Sequence, residues 1–118
     1  MPGVESRDFS APDETRKPAK TLVELVNVGG GQIGRYTFEP GWRWSECIKP
    51  IANTDSCQVE HIGYAVSGAL HVRHDDGTET DIVPGMVYRI APGHDAWNAG
   101  REPAVFVEFQ GAANYAKS

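Results

Sequence analysis

The stretch from Gly85 to Asn98 constrains the fold of this chain more than any other part of its sequence. A short apolar run, residues 86–91, leads into Pro92-Gly93, and His94 follows that dipeptide directly. Because proline fixes φ and glycine supplies a positive φ, this pattern predicts a strand, a tight turn and a second strand. Such a turn holds one imidazole at a fixed point, which suits metal binding or proton transfer. A plain hairpin with a surface histidine would show the same pattern.

Short β-forming runs separated by tight turns make up most of the remaining chain. Residues 21–28 and 32–38 flank three glycines, residues 69–74 and 79–83 flank Asp76-Gly77, and residues 104–109 form a last run. The first two arrangements are hairpin signals. No stretch of ten or more residues has the apolar period of a helix. The sequence therefore predicts an all-β sandwich or barrel.

The same stretch resembles the second motif of the cupin superfamily. The matching positions are Gly85, Pro92, Gly93, His94 and Asn98, although the middle three are consecutive here and are spaced in the usual motif. Upstream, residues 61–68 resemble the end of the first cupin motif. The resemblance covers roughly residues 38–110 and implies a small single-domain cupin, a double-stranded β-helix or jelly-roll barrel, with a degenerate first motif. This fold hosts many unrelated chemistries.

Three segments follow from the distribution of apolar residues along the chain. At 118 residues the chain is long enough for one domain with one core. Residues 1–20 carry prolines and charges and predict an N-terminal arm, with Phe9 as its anchor if the arm docks. Residues 21–110 form the predicted cupin barrel. The polar C-terminal tail, residues 111–118, is expected to be loose.

Composition excludes several kinds of partner and favours a small-molecule ligand or substrate. No apolar run approaches the eighteen residues of a membrane-spanning helix, and the N-terminus lacks a signal peptide's apolar segment, so we expect a cytoplasmic protein with no membrane partner. A net charge of −5 argues against nucleic acid. A disulfide between Cys47 and Cys57 is disfavoured in that compartment. We also expect a homodimer, formed through sheet faces or swapped N-terminal arms.

The resemblance further implies a metal site. The first cupin motif offers two histidines and then a glutamate, and these positions fall on Asp55, Cys57 and His61, while His94 matches the second motif's histidine. All four side chains are competent ligands for a divalent metal. Cys57, His61 and His94, with Asp55 or a water as the fourth ligand, suit Zn²⁺ best. Fe²⁺ or Mn²⁺ is possible but suits a thiolate less well.

Strand geometry sets a condition on that site. In one extended strand the Cα atoms of Cys57 and His61 would lie about 13 Å apart, too far to share an ion. Chelation therefore requires a bend or bulge at residues 58–60, which contain no glycine, proline or asparagine. A bulge that shifts the alternation would turn Glu60 inward and make it another candidate for the fourth ligand.

Aromatic and basic side chains near these ligands are candidates for the pocket. We expect Trp44, Tyr64 and Trp97 to line it, although packing alone also explains each. Trp42 and Trp44 share a face if residues 42–48 are extended, and the turn-rich residues 49–56 form a loop long enough to cover the barrel mouth. Three arginines would anchor an acidic substrate if they point inward, namely Arg35, Arg73 and Arg89.

Two functions of different class follow from these expectations. The first is a metal-dependent cupin enzyme, in which a Lewis-acid metal acts on a small organic molecule in the barrel mouth; isomerase, cyclase, lyase and oxygenase chemistries stay open. The alternative is a non-catalytic metabolite-binding or sensor cupin with a structural metal or none. An open coordination position beside a pocket separates the two. A third possibility is a nucleophilic Cys57 paired with a histidine base.

Overall fold

The computed structural model describes residues 3–111 and Tyr115. Nearly half of the described chain is β-strand, and it also has two helices of one turn each. The elements in chain order are β1 Glu14–Arg16, β2 Thr21–Val28, β3 Gly31–Phe38, α1 Trp44–Cys47, α2 Lys49–Ala52, β4 His61–Ser67, β5 Leu70–His74, β6 Glu79–Ile82, β7 Val87–Ile90, β8 His94–Trp97 and β9 Ala104–Gln110. Within the described ranges no helix is long and apolar enough to cross a membrane.

The strands form two antiparallel sheets that enclose one core. The larger sheet has the order β1-β2-β3-β9-β4-β7 and the smaller one the order β6-β5-β8. Alternate side chains of both sheets point into the shared core, including Leu25, Tyr36, Phe38, Phe106, Val72 and Ile82. The predicted all-β jelly-roll architecture is confirmed.

Two predicted hairpins are present with the predicted turns. β2 pairs with β3 from Thr21 opposite Phe38 to Val28 opposite Gly31, and glycines between the strands adopt positive φ. β5 pairs with β6 across Asp76-Gly77, where Gly77 has φ 94°. In both cases the turn chemistry sets the register.

The stretch around His94 joins the two sheets. β7 lies in the larger sheet and β8 in the smaller, so the turn at residues 91–93 crosses between sheets and is not the turn of a hairpin. Gly93 has φ 97°, as a tight turn at this point requires. The strand, turn and strand are therefore as predicted, and His94 is held where the two sheets meet.

The segment after β3 differs from the extended run that we expected. Residues 44–52 hold both helices: α1 ends at Cys47, α2 begins at Lys49 with Pro50 in its first turn, and Asn53 caps α2 with φ 61°. Trp42 and Trp44 are both buried all the same. The single-turn helices carry too few residues to show a helical period, so alternation of two tryptophans looked like a strand.

The N-terminal arm folds back on its own sheet. β1 pairs with β2, and the Arg35 guanidinium on β3 lies 4.9 Å from the Phe9 ring centroid. Arg7 donates to Asp13 and to the Asn27 carbonyl. The arm therefore covers the outer side of the β2–β3 end of the larger sheet.

Candidate metal centre

Three side chains with metal-binding atoms converge inside the barrel. The donor atoms of Cys57, His61 and His94 all lie within 4.8 Å of one another, and all three residues are buried. Cys57 forms an isolated bridge with His94, the first residue of β8, while His61 is the first residue of β4. The fold thus brings together three candidate ligands that lie on two distant motifs of the sequence.

The required bend between Cys57 and His61 is a crossing between sheets. Cys57 donates its backbone N–H to the carbonyl of His94 on the smaller sheet, whereas His61 pairs with Ile90 on the larger one. Residues 58–60 belong to no strand. As a result the Cys57 Sγ lies 3.6 Å from the His61 Nε2, which one extended strand would not have allowed.

A buried carboxylate orients His61. The His61 Nδ1–H donates to Glu108 Oε1 at 2.5 Å, and the Tyr88 hydroxyl donates to Glu108 Oε2 at 2.7 Å. Gly63 makes room for this network, since a Cβ there would lie 2.7 Å from the Tyr88 hydroxyl. Glu108 was not predicted from sequence, although one signal existed: it alternates with the apolar Ala104 and Phe106 on the inward face of β9.

The second histidine is oriented by the backbone. The His94 Nδ1–H donates to the Ala91 carbonyl at 2.8 Å, because a carbonyl can only accept. Nε2 is then the nitrogen of His94 that can face the cluster, as it is on His61. The two rings lie 5.1 Å apart between centroids. A hydrogen bond from the other ring nitrogen, as here, fixes the tautomer and the orientation of a metal-ligating histidine.

The cluster is strongly polarised. Burial lowers the pKa of His61, but the Glu108 carboxylate and the Cys57 sulfur raise it more, to about 10. Burial raises the pKa of the Cys57 thiol, but hydrogen bonds with His61 and His94 lower it by more, and the resulting pKa is about 6. Cys57 is therefore a thiolate at neutral pH, the form that binds metals and attacks electrophiles. His61 must release its proton to act as a ligand.

The two proposed fourth ligands lie away from the cluster. Asp55 is fully exposed and lies 3.8 Å from the Lys49 ammonium. Glu60 points outward, where it accepts hydrogen bonds from Arg89 and Gln110. Neither expectation is correct, because the bend at 58–60 carries the backbone across the barrel without turning Glu60 inward. Among the residues that the structure describes, the candidate metal group comprises three ligands.

A narrow cavity adjoins the cluster in the barrel interior. Its volume is about 30 Å³, and its lining includes Trp44, His61, His94 and Glu108. Trp44, one of the three aromatic residues predicted to line a pocket, is among them. A second cavity of about 170 Å³ reaches Cys57 from the side of α2.

Two of the three predicted pocket aromatics lie elsewhere. Tyr64 is on the outer face of β4 and is 42% exposed. Trp97 is on the outer face of β8, where its ring lies 4.8 Å from His71 and 4.1 Å from the Arg43 guanidinium. Each residue follows an inward ligand, His61 or His94, by three positions, so strand alternation places it on the opposite face.

The residues present fit a divalent metal. One thiolate and two imidazole nitrogens are a donor set that zinc accepts readily, and the partners of both histidines leave Nε2 facing the cluster. Both cysteines are free in the structure, so Cys57 is not held in a disulfide. Three protein ligands would leave further coordination positions for water or another small molecule.

Comparisons with known proteins support the fold. No family model matches the chain, and no curated protein matches it in sequence. It is similar in structure to a sugar phosphate isomerase of the cupin superfamily from Silicibacter pomeroyi, with 19% identity, a TM-score of 0.62, and coverage of 88% of this chain and 73% of that one.

Two further solved structures are named for the same domain type. A cupin domain from Bordetella pertussis is 17% identical, with a TM-score of 0.52 and coverage of 80% of this chain and 96% of that one. The cupin domain of an XRE family transcriptional regulator from Enterobacter cloacae is 16% identical, with a TM-score of 0.53 and coverage of 75% and 93%. The protein therefore has the cupin fold, as the resemblance implied.

Proposed function

We propose that the protein is a metal-binding cupin that acts as an enzyme on a small organic molecule. The observation that supports this most directly is the convergence of Cys57, His61 and His94 on one point in the barrel. Zn²⁺ is the favoured ion because one ligand is a thiolate, and Fe²⁺ or Mn²⁺ is the alternative. Three ligands, rather than four, are typical of a catalytic site that keeps a position for substrate or water.

The residues around the ligands have separable roles in this proposal. When bound, a divalent ion supplies Lewis-acid chemistry, which suits isomerase, cyclase, lyase or oxygenase reactions on a substrate oxygen. Glu108 holds the His61 ring through Nδ1 and carries the negative charge that balances it. Tyr88 fixes Glu108 in turn, and the Ala91 carbonyl fixes His94. Trp44 forms part of the cavity wall.

The size of the cavity favours a second candidate function. About 30 Å³ holds a water molecule but is far below the several hundred Å³ of a typical ligand pocket. A non-catalytic sensor cupin needs no substrate at the metal, and one structural neighbour is the cupin domain of a transcriptional regulator. Binding of a metabolite, with the metal as a structural element, would then be the function.

The geometry also supports thiol chemistry as a third candidate. Cys57, His61 and Glu108 are connected in that order through a 3.6 Å and a 2.5 Å contact, as nucleophile, base and orienting carboxylate are in cysteine enzymes. Metal binding uses the same thiolate. The two activities would therefore exclude each other.

Metal content is the deciding measurement. Elemental mass spectrometry of the purified, untagged protein should give about one ion per chain, and His94→Ala and Cys57→Ser should each lose it. Cys47→Ser is the matched control, because Cys47 lies outside the cluster, and it should retain the ion. If wild-type protein carries no ion and takes up no Zn²⁺, Fe²⁺ or Mn²⁺, the metalloenzyme is refuted, and alkylation of Cys57 becomes the next test of the thiol alternative.

A homodimer belongs to the same proposal. The outer face of β7, β4 and β9 exposes the apolar side chains of Val87, Tyr64, Val66 and Phe109. At its edge the Glu60–Arg89 ion pair carries both signs of charge, so two copies related by a twofold axis would be complementary there. Light scattering should show a dimer that Tyr64→Glu converts to monomer; a monomeric wild type at micromolar concentration would refute it.

A further inference from the structure

We infer that the ligand of this site is a small uncharged molecule with an aromatic or apolar body, and that the Tyr115 ring occupies its place in the structure. This proposal rests on the proposed function, because it names the ligand of the same site. It does not depend on a metal for its test.

Tyr115 lies deep in the barrel although its segment was expected to be a loose tail. The residue is 3% exposed. Its ring centroid lies 4.7 Å from that of Tyr36, 6.4 Å from that of Phe38 and 5.6 Å from that of His61. An aromatic ring from the end of the chain therefore already lies against a candidate metal ligand.

The ring is held by packing and not by its polar group. The Tyr115 hydroxyl is buried and makes no hydrogen bond with any described residue. Its backbone carbonyl accepts one hydrogen bond, at 2.6 Å, from Arg16 on β1. A buried hydroxyl without a partner gives up its hydrogen bonds to water and receives none in return, so it opposes insertion of the side chain. A ligand ring whose polar group finds a hydrogen-bond partner in the barrel can thus take the place of the Tyr115 ring.

Two polar groups of the cavity lining indicate which ligand would fit there better than the Tyr115 ring does. The hydroxyl of Tyr36 and the indole N–H of Trp42 are also buried without a hydrogen-bond partner among the described residues. Tyr36 lies on the inward face of β3, and both residues line the central cavity. A ligand with one hydroxyl or carbonyl oxygen would give such a donor the acceptor that it lacks. The lining therefore suits a ligand that has an apolar ring with one polar atom.

Tyr115 also separates the two cavities near the cluster. The cavity of about 30 Å³ and the cavity of about 170 Å³ are both lined by Tyr115 and Trp44. The second one carries the apolar side chains of Ile48, Ala52 and Val59. Because Tyr115 lies between them, withdrawal of its ring would join them into a space suited to a one-ring molecule beside Cys57, His61 and His94.

The charges around this space disfavour an anion. Among the described residues, no lysine or arginine lines either cavity, and His61, which lines the first, is already paired with the Glu108 carboxylate. The three arginines suggested as anchors point outward: Arg35 binds Glu24, Arg89 binds Glu60, and Arg73 lies over Trp97. A phosphorylated sugar would lose its hydration here without gaining a lysine or an arginine as a partner. This distinguishes the site from one built for a sugar phosphate.

The test uses metal-free protein and two probes, phenol and inorganic phosphate. Calorimetric titration should show that Tyr115→Ala binds phenol at least tenfold more tightly than wild type does, and that it does not bind phosphate. Tyr115→Phe keeps the ring in place and should bind phenol no better than wild type. Trp97→Ala removes an aromatic ring from the outer face of β8, away from both cavities, and is the matched control, which should also behave as wild type.

The opposite results overturn the inference. Equal phenol affinity in wild type and Tyr115→Ala would show that the ring does not occupy the ligand position, and tighter binding of phosphate than of phenol would refute the ligand class. If Tyr115→Ala fails to fold, tyrosine-labelled wild type decides by NMR: as phenol saturates, the Tyr115 ring signal must move to its solvent-exposed position, and an unmoved signal refutes displacement. Because these measurements contain no metal, their failure is distinct from a failure of metal uptake.

Discussion

His61 and His71 carry the same chemical pairing in opposite surroundings. The Nδ1 atom of His61 bonds Glu108 at 2.5 Å in the core, and that of His71 bonds Asp81 at 2.8 Å on the outer face of the smaller sheet. The His61 and His71 side chains are 4% and 26% exposed. The difference that matters is the second nitrogen: Nε2 of His61 faces Cys57, whereas Nε2 of His71 is bonded to Glu79.

This contrast shows what marks a candidate site in the molecule. A histidine–carboxylate pair alone is not informative, since the exposed one uses both of its nitrogens on carboxylates and has no atom left for a ligand. The buried pair uses only one nitrogen on a carboxylate and directs the other at two further side chains with metal-binding atoms. Burial also removes the screening by water that weakens the outer pair.

Removal of the buried carboxylate should give the largest difference between the two pairs. Glu108→Ala leaves the His61 ring buried without its counter-charge, and we expect a loss of about 3–5 kcal/mol in the free energy of unfolding. Glu79→Ala removes an exposed partner of His71 and should cost at most about 1 kcal/mol. Urea denaturation of both variants beside wild type measures the difference. Equal losses would show that burial does not set the strength of these pairs.

A conservative change at the same place separates orientation from stability. Glu108→Gln keeps the shape of the side chain but weakens its hydrogen bond to His61 Nδ1, and we expect metal affinity to fall by about 10–100-fold. Asp81→Asn makes the same chemical change beside His71 and should leave metal affinity unaltered. Competition titration with a chelator measures both variants. An unchanged affinity in Glu108→Gln would mean that the carboxylate is structural and does not tune a ligand.

Local turn chemistry explains which parts of the fold were predictable. The β2–β3 and β5–β6 hairpins follow from glycines at turns whose positive φ only glycine adopts easily, so sequence alone predicts them. The two helices are one turn each, and burial of Trp44 in the core, rather than a period in the sequence, sets the place of the first. Tertiary packing decides such short elements, and single-sequence patterns do not contain it.

The candidate site likewise has residues that the sequence could predict and residues that it could not. Cys57, His61 and His94 could be named from motif resemblance, but their convergence depends on a crossing between sheets that no local signal at residues 58–60 indicates. Glu108 lies 47 positions from His61 along the chain, so only the inward phase of β9 could have pointed to it. The outward positions of Tyr64 and Trp97 were available from alternation once the inward ligands were chosen.

The smallest effect expected concerns pH and the exposed pair. Hydrogen bonds from His71 to Glu79 and to Asp81 raise its pKa above the ordinary value, and slight burial opposes this. A raised folded-state pKa means that the pair stabilises the protein below the unfolded-state pKa of about 6.5 and that this contribution is lost as pH rises through the folded-state pKa. His71→Gln should therefore cost about 0.2–1 kcal/mol near pH 6, and nothing once His71 is neutral.

NMR titration of the His71 ring tests the cause of that effect directly. Asp81→Asn and Glu79→Gln should each lower the pKa of His71 toward the ordinary value, because each removes one of the two carboxylates that hold the proton on the ring. High salt should reduce the wild-type shift as well, since exposed charges are screened within about 10 Å at moderate ionic strength. A wild-type His71 that titrates at the ordinary value would mean that its carboxylate contacts are too solvated to hold a proton, which would make the contrast with His61 sharper still.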